Sequence, residues 1–595
     1  MRTCNIRFME ADSMKTKQRH TLSKMLVGFG GALRQRRLIL DTILLGVVGA
    51  LSARVFSLML GAARAVFLVR LAGYQPLGLP NEGGAPHEVI GSHGLWLIPV
   101  ATTLGGLISG ILVYSLAPEA EGHGTDTAVK AFHRAAGFIR ARVPPLKMVA
   151  SAITIGSGGA AGREGPTALI SAGIGSIYAT LTHRPDEERR LLVLIGMASG
   201  LSAIFRSPVG TAFFAIEVLY GSMEFEANAL LYTMLGSIVA YTVNGLFVGY
   251  QPLFQVPLNL AIPHFSDYFW YAALGMAAGL VATMIPMAFY GIRDMFSLLP
   301  IRPHFKPAIG GLAVGLLALA LPQVLGASYG WVQEAINGNL SAELLLSLIF
   351  AQILAFALTI SSGGSGGVFG PSLYVGAMLG GFLAKVFHQP SAPFAIIGMA
   401  AVFGGAARVP IATLLMVTEM TGGYHLLVPA ALAVMVSYYI EVTLSARLKY
   451  KSLYEAQVPS RPDSPAHHSE HLEAAIRLLG MRGLVVPATF SHVDVRELLA
   501  SGIPVDLPDG KRLVIGILKS GSPYVDMPVQ SSFPPDTRDD VQIVAIFRDG
   551  HTHLPHGDFK LQVGDRLLVV ASPEGHERLA QHLAPLTRSE VIYPE

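Results

Sequence analysis

The chain of 595 residues contains a single cysteine, Cys4, so a disulfide framework within the chain is excluded. Charged residues are also scarce: they make up 14% of the sequence, whereas 51% of the residues are hydrophobic. Soluble domains typically carry about 25% charged residues, so this composition indicates a polytopic membrane protein embedded in a lipid bilayer. The net charge of +3 arises mainly beside the apolar runs, and it predicts no surface for nucleic acid.

Several uncharged stretches are long enough to cross a bilayer, because about 20 apolar residues span the hydrocarbon. They are residues 95–117, 227–250, 268–292 and 307–331. The stretch 344–384 also has no charged residue, but it is too long for one helix and is interrupted by the sequence SSGGSGG. Irregular backbone at membrane depth is tolerated only where protein covers it or where it lines a cavity. This break therefore predicts a functional site.

The composition changes along the chain and predicts four parts: a basic N-terminal tail (1–37), a transmembrane domain (38–458), a linker (459–470) and a cytoplasmic α/β domain (471–595). Basic residues flank both ends of the apolar region, and no signal peptide is expected. The positive-inside bias predicts an integral protein of the plasma (inner) membrane with both termini in the cytoplasm and an even number of crossings.

The membrane region contains an internal duplication. Residues 154–166 (TIGSGGAAGREGP) recur as 359–371 (TISSGGSGGVFGP), and the two segments match at eight of thirteen positions without a gap. Residues 206–217 and 408–419 also share an Arg, a Pro and a Glu at the same spacing. A duplication within a hydrophobic chain indicates a transporter.

Each copy has a Gly-rich loop that ends in Gly-Pro. Proline is favoured at the first position of a helix, so helices are predicted to begin near Pro166 and Pro371. The unpaired N–H groups and the dipole at such helix starts favour anions. The first copy carries Glu164 where the second has Phe369, which places one carboxylate at a pseudo-symmetric site. Alternatively, the glycines only allow close helix packing.

These residues resemble a known family. The segments 162–166 (GREGP), 366–371 (GGVFGP) and 118–126 (PEAEGHGTD) are similar to the three anion-pathway motifs of the CLC chloride channels and proton/anion exchangers. The resemblance covers about residues 37–454. It implies an all-α polytopic membrane fold with two inverted repeats of tilted, broken helices, and a homodimer with one pore in each subunit. The sequence itself shows duplication but not inversion.

The resemblance also implies roles for single residues. Glu164 resembles the gating glutamate, although it could instead complement a helix start or pair with Arg163. Val368 and Phe369 match the residues whose backbone amides hold the central anion. Tyr454 resembles the tyrosine that closes the inner end of that site.

Further residues complete the predicted site. Tyr450 lies close enough in sequence to confuse the assignment of the tyrosine, and either tyrosine could be a helix anchor at the headgroups. The other predicted anion-binding residues are His123, Gly124, Gly165, Gly366 and Gly367. The predicted supporting residues are Arg163, Pro166, Pro371, Glu217, Val218 and Glu419.

Two positions depart from the family pattern. His123 stands where the family has a serine, so it either donates an N–H to the anion, with pH-sensitive conduction, or points away from it. Val218 stands where proton-coupled relatives commonly have a glutamate, a feature that resembles the channel branch; Glu224 or Glu226 could substitute. Glu217 and Glu419 are expected to be structural, because carboxylates in apolar surroundings need partners.

The sequence therefore predicts a passive, gated pathway for chloride or a similar small anion, with proton-coupled anion exchange as the alternative. A remote alternative is an intramembrane serine hydrolase that uses Ser157 or Ser362, but no histidine recurs with these serines to act as the base. No enzymatic activity and no cofactor are expected, and chloride would be a bound substrate ion.

The C-terminal domain, with a core at about residues 512–583, resembles the TrkA-C type of ligand-binding domain in potassium-conductance regulators. It has β-type runs at residues 513–518, 541–547 and 567–570. The resemblance suggests control by a small cytoplasmic ligand such as a nucleotide. No Gly-rich phosphate loop opens a helix there, so ATP hydrolysis is not expected. The spacing of His551, His553 and His556 is expected to reflect turn and surface residues and not a metal site.

Overall fold

The computed structural model describes residues 3–79, 82, 85–256, 264–460, 464, 466, 489–490, 493–494, 504–506, 510–532, 540–548, 551–553 and 555–585; before residue 34 only the backbone is described. These residues form two compact units. The first comprises Met1–Ala128, Phe138–Val218 and Glu226–Glu455. The second comprises Val129–Gly137, Leu219–Phe225 and Ala456–Glu595.

The first unit is helical. Its helices are α1 (Thr3–Arg64, continued by a π-helical stretch, Ala65–Leu71), α2 (Ile98–Leu116), α3 (Thr125–Arg134, which ends in the second unit), α4 (Val143–Gly156), α5 (Glu164–Leu181), α6 (Asp186–Phe205), α7 (Pro208–Glu217), α8 (Ala227–Val248), α9 (Asp267–Leu298), α10 (Lys306–Ala318), α11 (Tyr329–Asn337), α12 (Ala342–Ser361), α13 (Phe369–Val386), α14 (Ser391–Ala406), α15 (Pro410–Thr421) and α16 (Leu427–Ser445). A two-stranded hairpin of β1 (Tyr74–Gln75) and β2 (Val89–Ile90) precedes α2.

Within the described residues, seven helices are long and apolar enough to cross a membrane, and three shorter helices are also apolar. The predicted spans at 95–117, 227–250 and 268–292 are confirmed as α2, α8 and α9. The predicted span at 307–331 is wrong. The chain leaves the helical path after α10, makes a 3-10 turn at Pro322–Val324, and begins α11 only at Tyr329. Proline cannot donate the N–H that would continue α10.

The two copies of the Gly-rich segment have the same local conformation. The hydroxyl of Ser157 donates to the carbonyl of Thr154, and the hydroxyl of Ser362 donates to the carbonyl of Thr359, both at 3.0 Å. The glycine that follows each serine has a positive φ, 105° and 101°. The helices after the loops, α5 and α13, begin two residues before Pro166 and Pro371, as the Gly-Pro pattern predicts.

The copies face each other with opposite chain direction. Gly162 and Gly367 are equivalent residues of the two repeats, and the N–H of each donates to the carbonyl of the other at 2.7 Å. Equivalent residues that pair in antiparallel fashion are related by a local two-fold axis, which is the relation expected of inverted repeats. The sequence alone could not show this inversion.

A second pair of equivalent contacts obeys the same symmetry. The carboxylate of Glu217, at the end of α7, accepts the N–H groups of Ile411 and Ala412 at the start of α15. The carboxylate of Glu419, in α15, accepts the N–H groups of Val209 and Gly210 at the start of α7. Each helix therefore has its N-terminal N–H groups satisfied by a glutamate of the other.

The second unit contains a six-stranded antiparallel sheet. Its strands are β5 (Val505–Asp506), β6 (Arg512–Leu518), β7 (Val541–Arg548), β8 (His551–His553), β9 (Arg566–Ala571) and β10 (Leu583–Pro585), after a separate hairpin of β3 (Thr489–Phe490) and β4 (Val493–Asp494). The order is β10-β6-β9-β7-β8, with β5 also paired to β6. The three predicted β-type runs are confirmed as β6, β7 and β9. Most of the predicted linker (459–470) lies outside the described residues.

In the described part of this domain, the helices are α17 (Val529–Ser532) and α18 (Pro573–Ala580). The Ser572 hydroxyl accepts the N–H of Gly575 at 3.0 Å and so begins α18. Leu579 of α18 packs in the apolar core of the sheet with Val569 and Leu583. The end of α3 also belongs to the second unit, where the buried ring of His133 forms hydrogen bonds with the carbonyl of Leu219 and with Ser464.

Candidate functional site

Three glycine-containing loops meet between the repeats. The carbonyl of Gly122 accepts the N–H of Gly366 at 3.2 Å, which joins the loop before α3 to the loop before α13. A side chain on Gly165 would lie 2.0 Å from the carbonyl oxygen of His123 and 3.0 Å from the Cα of Gly367. A side chain on Gly124, whose φ is +84°, would lie 2.7 Å from the carbonyl oxygen of Gly165. Only glycine allows the three loops to approach this closely.

Glu164 lies at this meeting point with its carboxylate buried. One oxygen, Oε1, accepts a hydrogen bond from the hydroxyl of Tyr329. The other oxygen, Oε2, has no hydrogen-bond partner of good geometry in the described part of the chain. Oε2 lies against Gly162 and Gly370, so the carboxylate is next to the first turn of α13. The side chain of one repeat thus occupies the helix start of the other, where the dipole favours negative charge.

Arg163 is paired with another carboxylate. Its guanidinium donates to both oxygens of Glu82, at 3.1 and 2.5 Å, whereas its Nε is 4.0 Å from Oε1 of Glu164. A bidentate Arg–carboxylate pair is stronger than a single contact at 4 Å. Glu82 is therefore the main partner of Arg163, and Glu164 is a second, weaker one.

The predicted anion-binding backbone begins α13. Val368 precedes the helix, Phe369 is its first residue, and both are buried. The Phe369 ring contacts Phe403 and Phe205, with centroids 4.1 and 4.4 Å apart. Phe214 of α7 extends this aromatic contact towards Tyr454, at a centroid distance of 6.3 Å. The wall of the site is therefore apolar, and polar contact with an ion is left to backbone N–H groups and a few side chains.

The structure separates the two candidate tyrosines. Tyr454 is buried beside His123, with the ring centroids 5.4 Å apart, and its hydroxyl interacts with Thr125. Burial raises the pKa of the Tyr454 phenol above its usual value, so the hydroxyl remains a donor. Tyr450 instead bonds to Asp294, which is also paired with a lysine. Tyr454 therefore lies at the site and Tyr450 lies outside it.

His123 is oriented towards Tyr454. The imidazole is buried, with a second edge contact to Phe289 at 6.1 Å, and its Nδ1 has no hydrogen-bond partner among the described residues. Lys147 of α4 is fully buried nearby, and its ammonium donates to the carbonyls of Ala120 and Gly122 at 3.0 and 2.6 Å. A protonated Lys147 would place a positive charge behind the loop that carries His123. That charge would disfavour a second positive charge on the imidazole.

The position of the missing glutamate is apolar. Val218 follows the last residue of α7 and is fully buried. Glu226, a possible substitute, is buried just before α8 begins. Glu224 belongs to the second unit.

The arrangement around Ser157 and Ser362 does not match a hydrolase. Each hydroxyl donates to a backbone carbonyl of its own helix, three residues earlier. A nucleophilic serine needs a base within hydrogen-bonding reach.

In the second unit, His553 and His556 both contact the ring of Phe559. The described residues contain no group of three potential metal ligands.

A cavity of about 530 Å³ opens beside Tyr329. Among the described residues, its wall contains four arginines and one acidic residue, Glu82; the arginines are Arg54, Arg64, Arg163 and Arg206. A cleft lined mainly by one sign of charge raises the local concentration of ions of the opposite sign. This cavity therefore favours anions close to Glu164.

Sequence reasoning missed several of these residues. Lys147 could have been found, because an ionisable side chain within an apolar membrane helix is by default a candidate functional residue. Tyr329 was hidden in a stretch interpreted as one span. Glu82 and Phe214 had no sequence signal, since their partners are distant along the chain.

The comparison with known families agrees with this geometry. The family described as voltage gated chloride channel matches residues 105–442, which is more than half of the chain. The chain belongs to the CLC family. The TrkA-C domain matches residues 513–584. This CLC protein is therefore a multi-pass integral membrane protein with a TrkA-C domain after its membrane region.

Individual relatives of this CLC protein are transporters. The H(+)/Cl(-) exchange transporter ClcA of Salmonella gallinarum is 29% identical over 405 residues, which cover 65% of this chain and 84% of the relative. ClcA of Citrobacter koseri is 32% identical over 351 residues, covering 56% and 73%. A slow cyanobacterial Cl-/H+ antiporter (TM-score 0.60, 21% identity, 69% and 95% covered) and a CLC-type fluoride/proton antiporter (TM-score 0.60, 23% identity, 72% and 99% covered) share the fold.

These relatives contradict the prediction of a passive channel and favour its alternative, proton-coupled exchange. The prediction depended on Val218, which cannot bind a proton. That inference was wrong in its logic, because the loss of one proton acceptor does not exclude a route through water or through another side chain.

Proposed function

We propose that this CLC protein exchanges chloride for protons across the membrane, with Glu164 as the residue that binds the proton and competes with the anion. The observation that carries the proposal is the position of the Glu164 carboxylate. It is buried against the start of α13, where the backbone favours an anion, and only one of its two oxygens has a good hydrogen bond. A carboxylate in that position excludes an anion from it.

Protonation removes this competition. A neutral Glu164 loses its attraction to the helix start, so an anion can take its place while the proton leaves with the side chain. The arginine-lined cavity supplies anions on one side of Glu164. On the other side, the backbone of Val368 and Phe369 and the hydroxyl of Tyr454 are the proposed ligands of a central anion, with His123 beside them.

The test is a flux assay on full-length protein in liposomes. An imposed proton gradient is expected to drive chloride uphill in the wild type. Glu164→Ala is expected to abolish proton movement and to leave chloride flux down its own gradient, because the anion no longer has a competitor that carries protons. The matched control is Glu343→Ala, which changes an exposed glutamate on α12. Wild-type chloride flux that is indifferent to the proton gradient would contradict the proposal.

The assembly and orientation are proposed from the family resemblance. We expect a homodimer with one pore per subunit, in the plasma (inner) membrane, with both termini in the cytoplasm. Single-molecule counting of subunits in liposomes tests the dimer. Labelling of cysteines introduced at the two ends, in intact and in opened cells, tests the orientation.

The TrkA-C domain is proposed to regulate transport by binding a small, nucleotide-like cytoplasmic ligand. Its resemblance to ligand-binding domains supports this. Adenine nucleotides added to the full-length protein in the flux assay are the first probes. A change in chloride flux that disappears when the domain is deleted is the expected result.

A further inference from the structure

Tyr329 is a buried phenol in contact with the gate residue. Its hydroxyl donates to Oε1 of Glu164, and its side chain is held on two sides. The guanidinium of Arg163 lies 5.5 Å above the ring centroid, and the edge of Phe254 packs against the ring at 5.7 Å and 90°. Both contacts favour the orientation in which the hydroxyl meets Glu164.

The helix that carries Tyr329 is fixed independently of Glu164. Tyr329 is the first residue of α11 and follows Ser328, which has a φ of 54°. Further along α11, the side-chain amide of Gln333 accepts the N–H of Gln255 at 2.8 Å and donates to its carbonyl at 2.7 Å. Because α11 is held there, the Tyr329 hydroxyl cannot follow the carboxylate when Glu164 moves away.

Two glycines border the space that the Glu164 carboxylate fills. A Cβ on Gly370 would lie 3.0 Å from the Tyr329 hydroxyl and 3.1 Å from Oε2 of Glu164. A Cβ on Gly162 would lie 2.2 Å from the same Oε2. Two glycines, one from each repeat, thus leave room beside a hydroxyl donor and the start of α13.

A buried donor needs an acceptor. When the carboxylate leaves, the Tyr329 hydroxyl stays in place and loses its partner, which is costly away from water. We propose that the Tyr329 hydroxyl is a ligand for the transported anion at the place that the Glu164 carboxylate now occupies. Departure of the carboxylate is then favourable only when an anion arrives, which opposes uncoupled leakage. This inference rests on the proposed exchange function and names a residue that enforces it.

The first experiment measures anion binding and does not depend on coupling. Full-length Glu164→Ala protein, whose site lacks the carboxylate, is compared with Glu164→Ala/Tyr329→Phe by calorimetric titration with chloride. Crystals of both are soaked in bromide. Loss of a hydrogen bond to a charged group is expected to weaken anion binding beside Tyr329 about tenfold. Bromide density beside residue 329 should disappear, while density beside Val368 and Tyr454 remains.

The matched control is Tyr374→Phe in the same Glu164→Ala background. Tyr374 is a fully buried phenol on α13 whose hydroxyl has no hydrogen-bond partner among the described residues. The Tyr374→Phe substitution is expected to leave the chloride affinity unchanged. If Tyr329→Phe affects binding no more than Tyr374→Phe does, the hydroxyl is not an anion ligand and the inference is overturned.

The second experiment tests the effect on coupling. With Glu164 intact, Tyr329→Phe is expected to lower the ratio of protons to chloride, because the carboxylate can leave without an incoming anion. An unchanged ratio would overturn the claim that Tyr329 enforces exchange, whatever the binding result. If the wild type itself shows no proton-coupled flux, the proposed function fails, and the titration still decides whether Tyr329 binds the anion.

Discussion

The paired contacts of Glu217 and Glu419 predict a measurable loss of stability. In Glu217→Ala, the N–H groups of Ile411 and Ala412, now bonded at 3.2 and 2.6 Å, lose their acceptor. Each buried donor without a partner costs about 1–3 kcal/mol, and removal of a negative charge from a helix start costs about 0.3–1 kcal/mol more. Because the bond to Ile411 is long, we expect a total near the lower end, about 2–4 kcal/mol.

The assay is unfolding of detergent-solubilised protein by a denaturing detergent, followed by loss of helical circular dichroism. Glu217→Gln keeps one acceptor oxygen, so about half of the loss is expected. The control is Glu343→Ala, in which an exposed glutamate is removed. A free energy of unfolding for Glu217→Ala equal to that of Glu343→Ala would refute the reasoning.

The two-fold relation between the repeats predicts a loss of stability for Glu419 as well. Glu419 accepts the N–H groups of Val209 and Gly210 and the hydroxyl of Ser207. Because three donors lose their acceptor, Glu419→Ala is expected to cost at least as much as Glu217→Ala. A loss confined to one of the two glutamates would show that α7 and α15 do not depend equally on each other.

Three further predictions concern separate parts of the molecule. His123→Ser is expected to raise chloride turnover in liposomes, because a smaller hydroxyl replaces a buried ring beside Tyr454. Glu82→Gln is expected to lower the KM for chloride on the side of the arginine-lined cavity, most clearly at low ionic strength, because it removes the negative partner of Arg163. Asp565→Asn is expected to destabilise the C-terminal domain by about 3 kcal/mol, because the buried carboxylate accepts two hydrogen bonds from Arg548 at 2.7 Å. Hydrogen exchange of β6, β7 and β9 measures the last effect.

Each of these has its own control. His123→Phe keeps a ring and should not raise chloride turnover above the wild-type value. Glu82→Asp keeps the charge and should leave the KM near the wild-type value. Asp558→Asn changes a neighbouring carboxylate of the same domain and should not increase exchange in the sheet. If a control variant has an effect as large as that of the tested variant, the physical cause given for that prediction is wrong.

The sequence by itself determined the membrane class, the duplication and the family, because these depend on composition and on short motifs that can be read along the chain. It also located Glu164 and the helix starts near Pro166 and Pro371, since Gly-Pro loops have local conformational consequences. The same reasoning failed at residues 307–331, where apolar composition concealed a break between two helices. It also ranked the two modes of transport in the wrong order, because it gave the missing proton acceptor at Val218 too much weight.

Only the tertiary structure decided what each of these residues touches. The inversion of the repeats became visible when Gly162 and Gly367 paired, and the roles of Glu217 and Glu419 became visible when each was found at the other repeat's helix start. The Tyr329 hydroxyl lies against Glu164 although 165 residues separate them. Contacts at such distances depend on how helices pack, and no local pattern records them.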